Sequence, residues 1–168
     1  MPVKIIDGDL FTTKARIIAH QVNCQGVMGS GVAKQIRQRN PQMFLNYARH
    51  CAAAKRTGWS PLGTNLILHT DADADSYVPG TMVYTGQYIC NMFAQNMYGY
   101  DGRRYTNIDA LRSCFTKLAQ YAREDGLTVA MPYKVGCVRG GANWEVVYKM
   151  IEEIFRDVNV ELWRLDKG

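Results

Sequence analysis

Asn23-Cys24-Gln25-Gly26-Val27-Met28-Gly29-Ser30-Gly31-Val32-Ala33 is the stretch on which the fold turns. It follows the apolar run Ile17-Ile18-Ala19 and leads into Lys34-Gln35-Ile36-Arg37, which has a helical pattern. A buried strand thus ends in three glycines and feeds a helix N-terminus, where several backbone N–H groups can converge on an anion. That geometry suits phosphate. A second stretch of the same kind, Val135-Gly136-Cys137-Val138-Arg139-Gly140-Gly141, follows the apolar segment through Val129 and also precedes a helical pattern. Ligands of open α/β sheets sit beyond the carboxyl ends of strands, so the two corners could hold a diphosphate between them. On pattern alone the glycines could instead serve tight turns and close helix packing. Neither GxxxxGK[ST] nor a strand-bound GxGxxG with a later ribose-binding acid is present.

Outward from these corners, residues 3–6 and 15–22 read as strands, the second buried on both faces. Helices are expected over 31–39 and 41–56, with Pro41 at a first-turn position. Strands follow over 64–69, 81–84 and 87–93, with 71–75 as a polar connection. A helix over 107–124 places Leu111, Phe115, Leu118 and Ala122 on one face, and Gly126 follows its end. A strand over 127–131, a glycine-rich loop over 132–142, a helix over 143–156 and a strand over 158–165 complete the chain. The helix over 143–156 turns Val147, Met150, Ile151, Ile154 and Phe155 inward. With no repeat, linker or low-complexity block, this order predicts one domain over residues 1–168 with a three-layer α/β/α sandwich.

Composition narrows the function classes. A chain of 168 residues that is 47% hydrophobic can bury one good core and is short for two. It has no apolar run of about 18 residues and no N-terminal basic-apolar-small pattern, so neither membrane insertion nor secretion is expected. A cytoplasmic location is expected, with the nucleus left open. The five cysteines, at 24, 51, 90, 114 and 137, are odd in number and lie at least 23 residues apart without a CxxC pair. They read as reduced thiols and not as a disulfide framework or zinc site. His20, His50 and His69 lack ligand spacing as well, and no metal or cofactor is expected. The charge of +5 suits a polyanion without identifying one. Lys34, Arg37, Arg39, Arg49, Lys55, Arg56, Arg103 and Arg104 read equally as a solvated surface, and no motif indicates nucleic acid.

Three segments carry a resemblance: Gly8-Asp9-Leu10-Phe11; residues 20–33 with their Met-Gly-Ser-Gly-Val-Ala ending; and Met131-Pro132-Tyr133-Lys134-Val135-Gly136-Cys137 followed by Asn143-Trp144-Glu145. Together they resemble the macrodomain family, in its branch of terminal ADP-ribose glycohydrolases, DNA-directed antitoxin macrodomains and yeast-type ADP-ribose-1''-phosphate phosphatase. Order and spacing match from residue 3 to residue 165. The resemblance implies a macrodomain-like mixed central sheet and a monomer that binds ADP-ribose or a derivative. It gives Asp9 the adenine amino group and the Leu10 N–H a ring nitrogen. Asp9 alone could also be a turn cap. Asn23 would face the distal ribose, or open the glycine loop as an Asx-turn, or both. Met28, Gly29, Ser30, Gly31 and Val32 would line the distal ribose and diphosphate. Val135, Gly136, Cys137, Val138, Arg139 and Gly140 would close over the phosphates through main-chain N–H groups.

The same resemblance bears on chemistry. Where the glycohydrolase and DNA-directed relatives carry a lysine after the central strand, this chain has Gln95, which cannot form a Schiff base. The glycohydrolase's second-loop aspartate is matched by Gly140, with Asn143 near the position where some relatives carry an acid. Lysine-dependent removal of ADP-ribose is therefore not implied. The phosphatase's His-x-x-Asn-Cys is matched by His20, Asn23 and Cys24, so His20 and Asn23 become the catalytic candidates, with His20 to activate water or protonate a leaving oxygen. A lone histidine in an apolar strand also reads as a hydrogen-bonded core residue. The expectation is ADP-ribose binding with hydrolysis of the phosphomonoester of ADP-ribose-1''-phosphate. The alternatives are a binding module without chemistry and an ADP-ribosyl hydrolase acting on modified protein or nucleic acid. Cys24 and Cys137 are expected as packing thiols, Asn143 as a helix N-cap and Trp144 as a core anchor. Trp163 is either core or a stacking partner for adenine, and residues 96–105 are either a lid or an exposed connection.

Overall fold

In the computed structural model, which describes residues 3–70, 87–99, 101 and 103–165, the chain opens with β1 (Val3–Asp7), a single 3-10 turn (Leu10–Thr12) and β2 (Ile17–Asn23). Then come α1 (Gly31–Arg39), α2 (Pro41–Thr57), β3 (Asn65–His69), β4 (Tyr88–Gln95), α3 (Ile108–Asp125), β5 (Val129–Pro132), α4 (Trp144–Ile154) and β6 (Val160–Arg164). The strands form one mixed sheet in the order β1-β6-β5-β2-β4-β3, with only the β3–β4 pair antiparallel. The expected strand over 81–84 and the connection over 71–75 lie outside the described residues.

Side-chain alternation on the interior strands builds both cores. Ile17 and Ala19 of β2, with Cys90, Met92 and Ala94 of β4, pack against Leu111, Phe115 and Leu118 of α3 and Val147 and Ile151 of α4. Ile18 and Ile89 pack on the other face against Ile36 of α1 and Met43 of α2. Val22 and Phe93 continue that face against Tyr47 and Cys51 of α2. Burial on both faces is why these strands read as continuous apolar runs. All three layers of the sandwich are present.

Helix ends follow local chemistry. Asn107 Oδ1 accepts from Ala110 N at 2.9 Å, and Asn143 Oδ1 accepts from Glu145 N at 2.9 Å and Val146 N at 3.3 Å. Gly126 takes the left-handed conformation (φ 64°) that closes α3. The Leu127 N–H bonds back to Ala122 O at 2.8 Å, so residue 127 serves the end of α3 and β5 starts two residues later than the apolar pattern implies. At the other margin α4 ends at Ile154, because Phe155 leads into a turn closed by Val158 N to Phe155 O at 2.9 Å. The parallel neighbours β5, β2 and β4 leave the sheet at the same edge, which brings both glycine corners together.

Candidate functional site: a cavity between two glycine corners

A cavity of about 390 Å³ opens at that edge. Its size falls in the range of small-molecule sites. Asn23, Gly29, Ser30, Gly31 and Val32 line it from the first corner, and Val135, Gly136, Val138, Arg139 and Gly140 from the second. His20 and Gln95 also line it. Asp9, Leu10, Met28 and Cys137, expected as ligand contacts, are not among the lining residues.

The first corner is shaped by Asn23. Its Oδ1 accepts from Gln25 N at 2.9 Å and Val27 N at 3.4 Å, and its Nδ2 donates to Val27 O at 2.8 Å. Tyr47 Oη donates from beneath, 2.7 Å from Asn23 O and 3.1 Å from Oδ1. The Asx-turn reading therefore describes the loop. Met28 is 1% exposed and packs with Tyr47, Cys51 and Phe93, so it anchors the loop from below. Ser30 stands at the N-cap of α1 in an extended conformation and makes no side-chain cap. The first bond of the helix is Lys34 N to Ser30 O at 3.2 Å, so the Gly31, Val32 and Ala33 N–H groups precede the ladder at the cavity wall.

In the second corner Val135 N bonds Pro132 O at 3.1 Å and Cys137 N bonds Lys134 O at 2.9 Å. Among the described residues the Gly136, Val138 and Gly140 N–H groups make no main-chain hydrogen bond. Lys134 has a left-handed backbone (φ 63°), unusual for a residue with a side chain, and lines the cavity with Arg139. Among the described residues no aspartate or glutamate lines the cavity. Orphan donors and two cations give this lining the chemistry that anions favour.

His20 is only 2% exposed. Asn91 Nδ2 donates to Leu66 O at 3.0 Å, which turns Asn91 Oδ1 toward His20 Nε2 at 2.7 Å. Nε2 must then carry the proton, and Nδ1 is a buried acceptor without a partner. Burial, only partly offset by the Asn91 bond, lowers the His20 pKa to about 4. The ring is neutral at pH 7, so it offers a lone pair and not an acidic proton.

Asp9 caps the 3-10 turn, with Oδ1 accepting from Phe11 N at 2.9 Å. Leu10 packs with Ile18, Ile36 and Ala130. Trp163 donates from Nε1 to Glu161 Oε1 at 2.9 Å and lies so close to Gly8 that a Cβ there would meet its ring at 3.1 Å. Trp144 braces the cavity-lining Tyr133, edge to face at 5.0 Å. Burial pushes the Cys24 and Cys137 thiols up to about 11, as packing thiols require. Of residues 96–105, Tyr98 and Gly99 line the cavity, and residues 100 and 102 lie outside the described set.

Lining residues missed from sequence are Gln21, Val22, Val27, Ala33, Pro132, Tyr133 and Lys134, while Tyr98 and Gly99 fall in the segment expected as either a lid or an exposed connection. Only Gln21 leaves a signal, a polar residue at the carboxyl end of an otherwise apolar strand. Among the described residues no cluster of three potential metal ligands occurs, and no helix is long and apolar enough to cross a membrane.

Comparison with known proteins supplies the relatives. Over 103 residues the chain is 29% identical to an ADP-ribose 1''-phosphate phosphatase of Scheffersomyces stipitis, with 56% of each chain covered. Over 152 residues it is 40% identical to a DNA ADP-ribosyl glycohydrolase of Mycobacterium bovis, covering 90% of this chain and 38% of that one. The chain thus spans little more than half the length of the first relative and less of the second. The solved macrodomain of Mycobacterium tuberculosis DarG superposes with a TM-score of 0.73 at 25% identity, over 97% of this chain and 99% of that one. The Macro domain family model matches residues 19–151, which include both glycine corners and the strands that carry them, and the chain belongs to that family.

Proposed function

We propose that the cavity binds ADP-ribose with its diphosphate between the two glycine corners, and that the protein hydrolyses the phosphomonoester of ADP-ribose-1''-phosphate. The observation that carries the binding is the meeting of both corners on one cavity, with orphan N–H groups on each and Lys134 and Arg139 alongside. A diphosphate needs many donors and no carboxylate beside it, and the lining meets both conditions. The name of the Scheffersomyces stipitis relative supports the reaction. His20 would serve as an acceptor for water or a ribose hydroxyl, with Asn91 holding its tautomer; as a neutral ring it would not be the acid. Asp9 would reach the adenine amino group with the oxygen that does not cap the turn.

A second reading, recognition of ADP-ribose without chemistry, is favoured by the lining, which among the described residues holds no carboxylate that could act as a partner base. Calorimetric titration with ADP-ribose and a phosphate-release assay on ADP-ribose-1''-phosphate separate the two. Saturable binding with turnover that falls in His20→Gln supports hydrolysis. Binding without phosphate release supports recognition alone, and absence of binding overturns both. In the same titration Asp9→Ala is expected to lose about 1 kcal/mol or more of affinity if its carboxylate holds adenine.

A further inference from the structure

Beneath the cavity runs a chain of side-chain hydrogen bonds whose direction is fixed at every link. Gln95 Nε2 donates to Met97 O at 2.8 Å, so Gln95 Oε1 faces Gln21, whose Nε2 donates to it at 2.7 Å. The Thr106 hydroxyl donates to Gly136 O at 2.7 Å, so its oxygen accepts from the same Gln21 Nε2, also at 2.7 Å. One amino group therefore feeds both arms. Each arm ends on a main-chain carbonyl, one at Met97, which leads into the wall residues Tyr98 and Gly99, and one in the second glycine corner. Gln21 and Gln95 themselves line the cavity, as do Tyr98, Gly99, Gly136 and Gly140 at the two ends of the chain.

We infer that Gln21 is a positioning residue that couples the second glycine corner to the wall residues Tyr98 and Gly99, so that an anion gripped by the corner shifts the opposite wall. Two further observations carry this beyond a structural brace. The chain lies against the corner without slack: a Cβ on Gly136 (φ +77°) would come within 2.8 Å of Gln21 Oε1. A Cβ on Gly140 would overlap Thr106 Oγ1 and lie 2.8 Å from Gln21 Nε2. The height of the corner above the floor is thus set by the Gln21 amide and the Thr106 hydroxyl. Moreover, Gln21 Oε1 is buried and has no hydrogen-bond partner. A side chain kept only for stability would gain by pairing both ends of its amide, and this one leaves an acceptor orphaned at the ligand site.

Only a side chain with two donors on one atom, at this reach, can serve both arms at once. Leucine would fill the volume and break both. Thr106→Val would break the arm to the corner alone and leave Gln21 bonded to Gln95; Thr106→Ser would preserve it. The coupling deepens the reading given under Proposed function and rests on it for the identity of the anion, and it can be read separately.

The test uses the methyl group of Met97, a residue that is 52% exposed and sits at the far end of the hydrogen-bond chain from Gly136. With 13C-methyl methionine labelling, and assignment through Met97→Leu, inorganic pyrophosphate and ADP-ribose are each titrated into the wild type, Gln21→Leu, Thr106→Val and Thr106→Ser. Expected are a shift of the Met97 resonance with either ligand in the wild type and Thr106→Ser, and its loss in the other two. ADP-ribose affinity should fall about tenfold or more in those two, while thermal midpoints stay within a few degrees of wild type. An intact Met97 response and affinity within twofold of wild type in either Gln21→Leu or Thr106→Val overturns the coupling. If neither ligand binds the wild type, the functional reading falls, and the ligand-free spectra still decide. Thr106→Val, at a residue whose backbone bridges Gln95 and not Met97, must shift that resonance in the Gln21 background and leave it unmoved in Gln21→Leu. An unmoved resonance in both overturns the inference.

Discussion

The two glycine corners face the same cavity and are held by opposite means. Asn23 bonds residues two and four positions ahead, so the first corner carries much of its own template, with outside support from Tyr47 of α2 and from Asn96 O, which accepts from Cys24 N at 3.1 Å and Gln25 Nε2 at 3.0 Å. In the second the local side-chain bond is the weaker one that Cys137 Sγ donates to Val135 O at 3.5 Å. The carbonyl groups of this corner are caught from below by Thr106, which lies 30 residues before Gly136, and by the Tyr105 and Thr106 N–H groups on Gly140 O. Space follows the same division. A Cβ on Gly31 would meet nothing within 4 Å, whereas one on Gly140 would meet Thr106 Oγ1, Gly136 O and Gln21 Nε2. A self-templated corner can tolerate change at its tip, and an imposed one cannot.

The sharpest way to break that contrast is Gly140→Ala. Overlap with groups that are already hydrogen-bonded has no cheap relief, so urea unfolding should register a loss of more than ~3 kcal/mol, and ADP-ribose binding should vanish. An unchanged unfolding midpoint would show that the second corner yields after all. β2, which feeds the first corner, gives an effect nearly as large through His20. Its folded-state pKa of about 4 lies below the unfolded value near 6.5, so the unfolded chain takes up the proton first as pH falls. The stability from the neutral buried ring is complete above about pH 6.5 and drains away toward pH 4, by roughly 3 kcal/mol in all. Wild-type stability measured against His20→Gln should narrow over that window, and parallel pH curves would refute the assignment.

Asn23→Ala should cost about 2 kcal/mol, since it leaves Gln25 N, Val27 N and Val27 O without their side-chain partner. The first corner should loosen, with faster amide exchange confined to residues 24–31, while the second keeps its protection. Gly31→Ala is expected to be mildest, about 1 kcal/mol from its left-handed backbone (φ +59°), with ADP-ribose affinity retained. A loss of affinity there comparable to Gly140→Ala would erase the distinction between the corners.

That distinction also explains how much could be read from the chain before the fold was in view. Strand and helix order, the caps at Asn143 and Gly126, and the Asx-turn at Asn23 all depend on neighbours within four residues, and each was legible. Gln21, Gln95 and Thr106 act across 74 and 85 residues, which no local pattern encodes. Met28 shows a different failure. Inside an irregular loop no period assigns a side chain to a face, so a residue beside the cavity-lining glycines reads as a ligand contact while its side chain packs in the core. For Asp9 the local cap was one of two readings, and the turn it closes is there.

The link from His20 through Asn91 to Leu66 has a consequence for assembly. These residues are direct register partners on β2, β4 and β3, and the bonds cross one row of the sheet. Misalignment of β4 by a single step against either neighbour would turn the Asn91 amide toward the opposite helix layer and strand it in hydrocarbon, along with the imidazole. The polar row therefore acts as a key for strand alignment, rejecting neighbouring registers that the surrounding aliphatic side chains, similar in size and chemistry, would discriminate poorly.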